Sequence, residues 1–300
     1  MTAITVISVL YKGGDTVPRW AAALDVARSH PDLEISVIAV DNASGDGTPE
    51  RLRAAAPWVT VRALETNVGF AAGCNLGMAG LAPDALIVLL NPDVAVDAGF
   101  FTGLLNISWS DDLAAVGPQI RTPTGEIEQS ARAFPSAITG AFGRATLMTK
   151  LFPRSAMARR QLLASPADGR KTVDWVSGAC LIAPAERFRR VGGLDEGYWM
   201  YWEDADWCRR ATVMGLRVEY RPELVVVHHQ GASSASSPLR TLVAFHRSAA
   251  RYYRLHVARS PIEACVAAGA LLARLAVKLV VGAAKAGLRR RGVERHDDDG

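Results

Sequence analysis

The chain has 300 residues, 49% hydrophobic and 21% charged, with a net charge of +4. It is long enough to bury a sizeable core, and its composition excludes a disordered, fibrous or disulfide-framework protein. The basic run Arg289-Arg290-Arg291 comes late and has no interleaved aromatics, so nucleic acid is not an expected partner; Cys74, Cys180, Cys208 and Cys265 form no CxxC or Cys/His cluster, which argues against zinc and fits a reducing cytoplasm.

Residues 4–10 read as a first strand without the basic region and cleavage site of a signal peptide, so export is not expected. Beyond them strand-like and helix-like segments alternate: a helix over 17–29, a strand over 35–40, a helix from 49, a strand over 59–63, a helix over 71–80 and a strand over 86–90. This alternation predicts βαβ units and a mostly parallel sheet. Thr48-Pro49-Glu50 predicts a helix start with a capping hydroxyl, a preset φ and an acid in the first turn. The first strand-to-helix turn reads Tyr11-Lys12-Gly13-Gly14-Asp15. It lacks the Gly-x-Gly-x-x-Gly fingerprint, which disfavours a dinucleotide-binding enzyme.

Two of these strands run into acids. The 35–40 strand leads to Asp41-Asn42 and the turn Ser44-Gly45-Asp46-Gly47, and the apolar run 85–90 leads to Asn91-Pro92-Asp93. Ligands of open α/β sheets gather outside the carboxyl ends of the strands, so Asp93 stands where a metal-bound diphosphate would sit. The plainer alternative for each acid is a turn former or helix cap.

Periodicity weakens over 121–171, which reads as loops and short helices covering a substrate groove. Three stronger pieces follow: Trp175-Val176-Ser177-Gly178-Ala179, the acidic stretch Glu203-Asp204-Ala205-Asp206, and a strand over 224–227 ending in His228-His229. The acids suit the positive end of a helix, with Asp206 paired to Arg209 or Arg210. Trp175 and Trp202 are candidates either for stacking on a sugar or for the core. Residues 231–300 differ in character. Glu263, Arg274, Lys278, Lys285 and Arg289 are spaced by 11, 4, 7 and 4, one stripe of a helix otherwise apolar, and no uncharged run within 261–291 reaches the roughly 18 residues of a spanning helix. Such a helix packs on the body, packs on a second subunit in a homodimer, or lies in a membrane interface. Arg289-Arg290-Arg291 favours anionic lipid, and Asp297-Asp298-Asp299 argues the other way.

The ordered motifs Val9-Leu10-Tyr11, Asp41 to Thr48, Asn67-Val68-Gly69-Phe70 with Asn75, Asn91-Pro92-Asp93, Trp175 to Ala179, Gly193-Leu194-Asp195-Glu196, Glu203 to Asp206 and His228-His229 together resemble a family 2 inverting glycosyltransferase, within it the bacterial rhamnosyltransferases acting on polyprenyl-diphosphate-linked sugars. The resemblance covers about 4–230 and implies a GT-A fold, Rossmann-like α/β with a mostly parallel sheet, over 1–230, with a C-terminal helical extension over 231–300. It implies a dTDP- or UDP-sugar donor, best dTDP-rhamnose, bound by Tyr11, Asp41, Asn42, Asn67, Gly69, Asn75, Asn91 and Asp93. It implies Mg²⁺ or Mn²⁺ held by Asp93 with His228 or His229, and an acceptor, lipid-linked or another glycan, met by Trp175, Ser177, Gly178 and Trp202. Asp204 becomes the base, with Glu203 orienting the acceptor or raising the base's pKa. Asn91 stands where many relatives carry the first Asp of an Asp-x-Asp element, implying weaker metal affinity. The resemblance further implies a cytoplasmic enzyme, peripheral on the inner membrane face through 261–291. The alternatives are a non-catalytic carbohydrate-binding or complex-forming protein of this fold, and a sugar-nucleotide pyrophosphorylase, for which Lys12-Gly13-Gly14 is too short a phosphate loop.

Overall fold

A computed structural model describes residues 3–14, 16–128, 130–135, 169–229 and 238–297. Its first half is β1 (Ala3–Leu10), α1 (Thr16–Arg28), β2 (Glu34–Asp41), α2 (Thr48–Ala55), β3 (Thr60–Ala63), α3 (Phe70–Met78) and β4 (Leu86–Leu90), each boundary within two residues of the expected one. These strands pair in parallel in the order β3-β2-β1-β4. The sheet then becomes mixed. After the short strand β5 (Val94–Ala95) and the helix α4 (Ala98–Leu105) come β6 (Leu113–Arg121), β7 (Ile127–Glu128), β8 (Ala131–Arg132), β9 (Lys171–Val173), β10 (Trp175–Val176) and β11 (Cys180–Pro184). The chain continues with α5 (Ala185–Val191), α6 (Glu203–Val213) and β12 (Arg217–His228). β11 runs antiparallel between β4 and β6, while β12 is parallel to β6 and antiparallel to β5.

β4 shows why the sheet is buried on both faces. Its side chains alternate, so Leu86, Val88 and Leu90 meet α1, α2 and α4, while Ile87 and Leu89 meet α3, α5 and α6. α3 rides close on β1 because Gly73 and Gly77 lie against Val9 and Ile7, where a Cβ would collide. The start of α2 corrects one expectation. The Thr48 hydroxyl donates to Asp46 (2.6 Å) instead of capping the helix, and Gly47, at φ 78°, takes the N-cap position.

Two helices follow the sheet, α7 (Pro238–His256) and α8 (Pro261–Asp297). α7 is pinned to the body by Arg251 on Asp195 (2.7 Å), His256 on Asp206 (2.6 Å) and the Ser248 hydroxyl on the Met200 carbonyl (2.8 Å). α8 packs on α7. Although charges interrupt it, the 261–281 stretch has a mean hydropathy of 2.0 and is long and apolar enough to cross a membrane, and only 6% of it is buried. Arg274 and Lys278 are half-buried beside His246 of α7, whereas Ile262, Val266, Leu272, Val277 and Val280 are exposed. The helix thus turns its charged edge to the protein and its apolar face outward. Most of the expected groove cover falls on 136–168, outside the described residues.

Candidate active site

The carboxyl ends of β1, β2 and β4 lie side by side, and the chain entering β11 joins them, with the Asn91 N–H donating to the Ala179 carbonyl (3.0 Å). β12 brings His228 to the same edge, level with Val94.

On the side of β1 and β2 the polar side chains hold loops. Asp41 is buried and accepts from the Ser44 N–H (3.1 Å) and hydroxyl (2.5 Å), and that hydroxyl accepts from the Lys12 N–H (2.8 Å). A carboxylate offers about four acceptor positions, so Asp41 keeps capacity for a further donor. Asn42 donates to the Gly69 carbonyl (2.9 Å) and accepts from the Val68 N–H (2.8 Å). Asn75 donates to the Leu194 carbonyl (2.8 Å) and to Glu196 (2.9 Å) and accepts from the Leu194 N–H (2.9 Å). Both amides thus also position loops, Asn42 the 68–69 turn and Asn75 the 194–196 segment, and each keeps hydrogen-bonding capacity beyond these partners. Asn67 accepts from the Gly69 N–H (3.1 Å). Gly69, at φ +92°, faces the Trp199 carbonyl so closely that a Cβ would collide, and that carbonyl accepts from the Phe70 N–H (2.7 Å). Tyr11 is half-buried, the Lys12 ammonium 5.4 Å from its ring centroid.

Asp93 and His228 form the next group. Asp93 Oδ1 is buried, lies 3.4 Å from His228 Nε2 and has no hydrogen-bond partner, while His228 Nδ1 lies 3.1 Å from Glu128. Burial disfavours charge on this imidazole, but the flanking Asp93 and Glu128 carboxylates, the latter hydrogen-bonded to it, outweigh that and raise its pKa to about 9. His229 joins through its backbone N–H, donating to the Asp93 carbonyl (2.8 Å), and its side chain is exposed. Of the two histidines considered for a metal, His228 is the one whose side chain lies beside Asp93. Among the described residues no three Asp, Glu, His or Cys side chains converge as a ready-made cluster. The orphaned oxygen of Asp93 beside an imidazole suits a divalent ion that takes its remaining oxygen ligands from a diphosphate and water. His228 would give up its proton to bind it.

The acidic helix start supplies the third group. Asp204 is half-buried, with Oδ2 accepting from the Gly178 N–H (2.8 Å) and Oδ1 from the Ala205 N–H (2.7 Å). Burial raises its pKa against the pull of those N–H groups and of Arg132. Glu203 is 5% exposed, its Oε2 has no partner, and burial followed by the charge of Asp204 pushes its pKa well up. Of the two, Glu203 is pushed up further, by burial and by the neighbouring Asp204 carboxylate. Burial and then the charges of Glu203 and Asp93 raise the Tyr201 phenol, which ties the Asp93 and Glu203 centres to one neighbourhood. Asp206, by contrast, is structural. It accepts from His256 Nε2 (2.6 Å), Arg210 Nε (2.8 Å) and the Tyr198 hydroxyl (3.3 Å), and these partners hold its pKa down in spite of burial.

The aromatic candidates divide. Trp202 packs on Tyr252 (5.1 Å between centroids) and Phe245 (5.9 Å) of α7, the packing alternative of the two considered for it. Trp175 donates its indole N–H to the Ala133 carbonyl (3.0 Å) and carries the Arg132 guanidinium over its ring (4.9 Å). The Ser177 hydroxyl oxygen accepts from the Ala179 N–H (3.3 Å), which shapes the turn that presents Gly178 to Asp204. Among the described residues, Lys12, Ala43, Tyr201 and Trp202 are the non-glycines at positive φ, all in loops at this edge. For Tyr201 and Trp202 that conformation is strained.

Sequence reasoning missed Glu128, Tyr201 and the staple of Arg210, which reaches the Val191, Gly192 and Gly193 carbonyls (2.8, 2.5 and 2.7 Å). Glu128 and His228 are a hundred residues apart and no local pattern joins them.

The sequence profile described as glycosyl transferase family 2 matches residues 5–164. An N-acetylglucosaminyl-diphospho-decaprenol L-rhamnosyltransferase of Mycobacterium tuberculosis is 33% identical over 259 residues, 82% of each chain. The mannosyltransferase PcManGT of Pyrobaculum calidifontis, solved with GDP-Man and Mn²⁺, superposes with a TM-score of 0.54 at 17% identity, over 94% of this chain and 80% of its own. GalNAc-T7, solved with UDP, GalNAc and Mn²⁺, gives 0.56 at 15% identity over 76% of this chain, which spans 43% of that larger one. The structural likenesses establish the GT-A fold.

Proposed function

Because the chain belongs to glycosyl transferase family 2, we propose that it moves L-rhamnose from dTDP-rhamnose, with inversion, onto N-acetylglucosamine carried by a polyprenyl diphosphate. That it is a glycosyltransferase follows from the family; the sugar and the acceptor are taken from the name of the mycobacterial relative. The observation that carries the mechanism is Asp204, aimed by the Gly178 and Ala205 N–H groups and set beside Glu203, whose pKa burial raises. Asp204 takes the proton of the acceptor hydroxyl as its oxygen attacks the anomeric carbon, and the nucleoside diphosphate leaves from the opposite face with the bonding pair. A raised pKa makes Asp204 a stronger base than an ordinary carboxylate.

On the donor side, Asp41 and Tyr11 receive the pyrimidine, and Asn67, Gly69 and Asn91 line the sugar-phosphate floor. Asp93 and His228 would hold Mg²⁺ or Mn²⁺, which offsets the charge of the departing diphosphate. Ser177 and Gly178 form the acceptor wall. The outward apolar face of α8 supports a peripheral seat on the inner membrane face, where a polyprenyl acceptor resides. A homodimer through that face is the rival use of the same surface.

The test is thermal protection and sugar transfer across a donor panel that includes dTDP-rhamnose, with Mn²⁺ or Mg²⁺. Protection that needs metal and Asp93, with transfer to a N-acetylglucosaminyl diphosphate lipid that is lost in Asp204→Asn, is the expected result. Absence of protection by every donor under every metal condition sinks the reading.

A further inference from the structure

Between the 192–202 loop and α7 lies a cavity of about 540 Å³, lined by Gly197 and Trp199 and by Arg240, Arg247, Arg251 and Arg254. The arginine spacing of 7, 4 and 3 places all four on one face of α7. No carboxylate is among the lining residues. Arg251 is compensated from outside the cavity by Asp195 (2.7 Å), and the Arg240 guanidinium lies 4.4 Å over the Trp199 ring. Arg247 and Arg254 have no ion-pair partner among the described residues and are exposed to the cavity mouth. Like charges held together this way repel one another, and an anion relieves them. Guanidinium forks match phosphate oxygens two at a time, and the volume falls within the range of small-molecule sites.

We infer that this cavity binds the diphosphate of the lipid-linked acceptor, an inference that rests on the acceptor proposed above. Its position supports this. Trp199 precedes Asp204 by five residues, so the two backbones are at most about 18 Å apart. The 192–202 loop is clamped to α3 by Asn75 at Leu194 and by Phe70 at Trp199, and to α7 by Arg251 at Asp195 and by Ser248 at Met200. The cavity and the base thus share one short, doubly anchored segment, and α8, packed on α7, offers apolar surface to the chain of an acceptor held there. Anionic membrane headgroups carry the same phosphate chemistry, so the test must separate the two sources.

The experiment compares the full-length protein with the Arg247→Ala/Arg254→Ala double variant and with Arg53→Ala, an arginine outside the cavity. Two acceptors are used, a short-chain N-acetylglucosaminyl diphosphate lipid and the same glycolipid with a neutral linker, and phosphatidylglycerol vesicles probe membrane binding. We expect the wild type to show a KM at least about tenfold lower for the diphosphate acceptor, a preference that collapses in the double variant and survives in Arg53→Ala. Equal KM values in the wild type overturn the inference while leaving sugar transfer intact. A double variant that keeps the preference but loses vesicle binding also overturns it, by assigning the arginines to the bilayer. If neither acceptor is used, the transfer reading itself fails. Equilibrium binding of inorganic pyrophosphate then decides the cavity, weakened binding in the double variant supporting it and equal binding overturning it.

Discussion

The two halves of the groove are built on opposite principles. Around β1, β2 and α3 nearly every polar side chain has an internal partner: Asp41 with Ser44, Asn42 with the 68–69 backbone, Asn75 with the 194–196 loop. Around Asp93 and the start of α6 the reverse holds. Asp93 Oδ1, Glu203 Oε2 and the Trp202 indole N–H are buried without hydrogen-bond partners, and Tyr201 and Trp202 hold strained backbone. Unpaired buried polar atoms each cost about 1–3 kcal/mol. Such a cost persists where a ligand meets it or where the surroundings enforce it. The β1, β2 and α3 side is thus preformed, and under the proposed function the acidic half is the part that a metal, a diphosphate and an acceptor would complete.

The sharpest way to sharpen that contrast is Asp204→Asn. We expect kcat to fall by about a thousandfold with donor protection retained, because the amide removes the base and leaves the donor floor intact; steady-state kinetics and a thermal shift with donor check it together. Next comes Asp206→Ala, which strips a buried carboxylate from His256 and Arg210 and should cost about 3 kcal/mol of stability, read by denaturant unfolding. The Asp206 pKa is lowered in the fold, so its contribution is present above the unfolded value near 3.9 and is lost as pH falls through the folded value. The gap between wild type and Asp206→Ala should accordingly close in acid. Gly69→Ala tests the preformed floor. A Cβ there meets the Trp199 carbonyl at a φ suited to glycine, and we expect a loss of about 2 kcal/mol together with weaker donor binding. An unchanged melting temperature would mean that the floor yields and the contrast is overstated.

Much of the frame was legible because local pattern dictates it. The run 85–90 can only be a strand buried on both faces, and the acids that follow it and β2 mark the ligand edge. Asp204 was legible as a helix-start acid within an ordered series of motifs. What escaped reading depends on pairing across the fold. That Asn42 and Asn75 also clamp loops shows only in the approach of the 67–69 and 194–196 segments. Between a sugar platform and the core, sequence left Trp202 open, and its packing partners come from α7, some fifty residues on. Glu128 becomes relevant only through His228, and the arginines of α7 only once the 192–202 loop closes a cavity against them.

The finest test concerns which acid of the pair works as base. Glu203 has a raised pKa in the fold, so between its unfolded value near 4.3 and its folded value the native state binds more protons than the unfolded chain, and stability falls as pH rises through that window. Glu203→Gln removes this loss. The variant should match the wild type near pH 4 and gain on the order of 1 kcal/mol over it by neutral pH, as melting curves across pH would show. If Asp204 alone is the base, an amide of nearly the same shape at 203 should lower kcat by no more than about tenfold. A collapse in kcat as deep as that of Asp204→Asn would instead place the base at Glu203. The proton Glu203 retains in the empty groove would then be the one that substrate binding removes, and the unpaired Oε2 would face the acceptor.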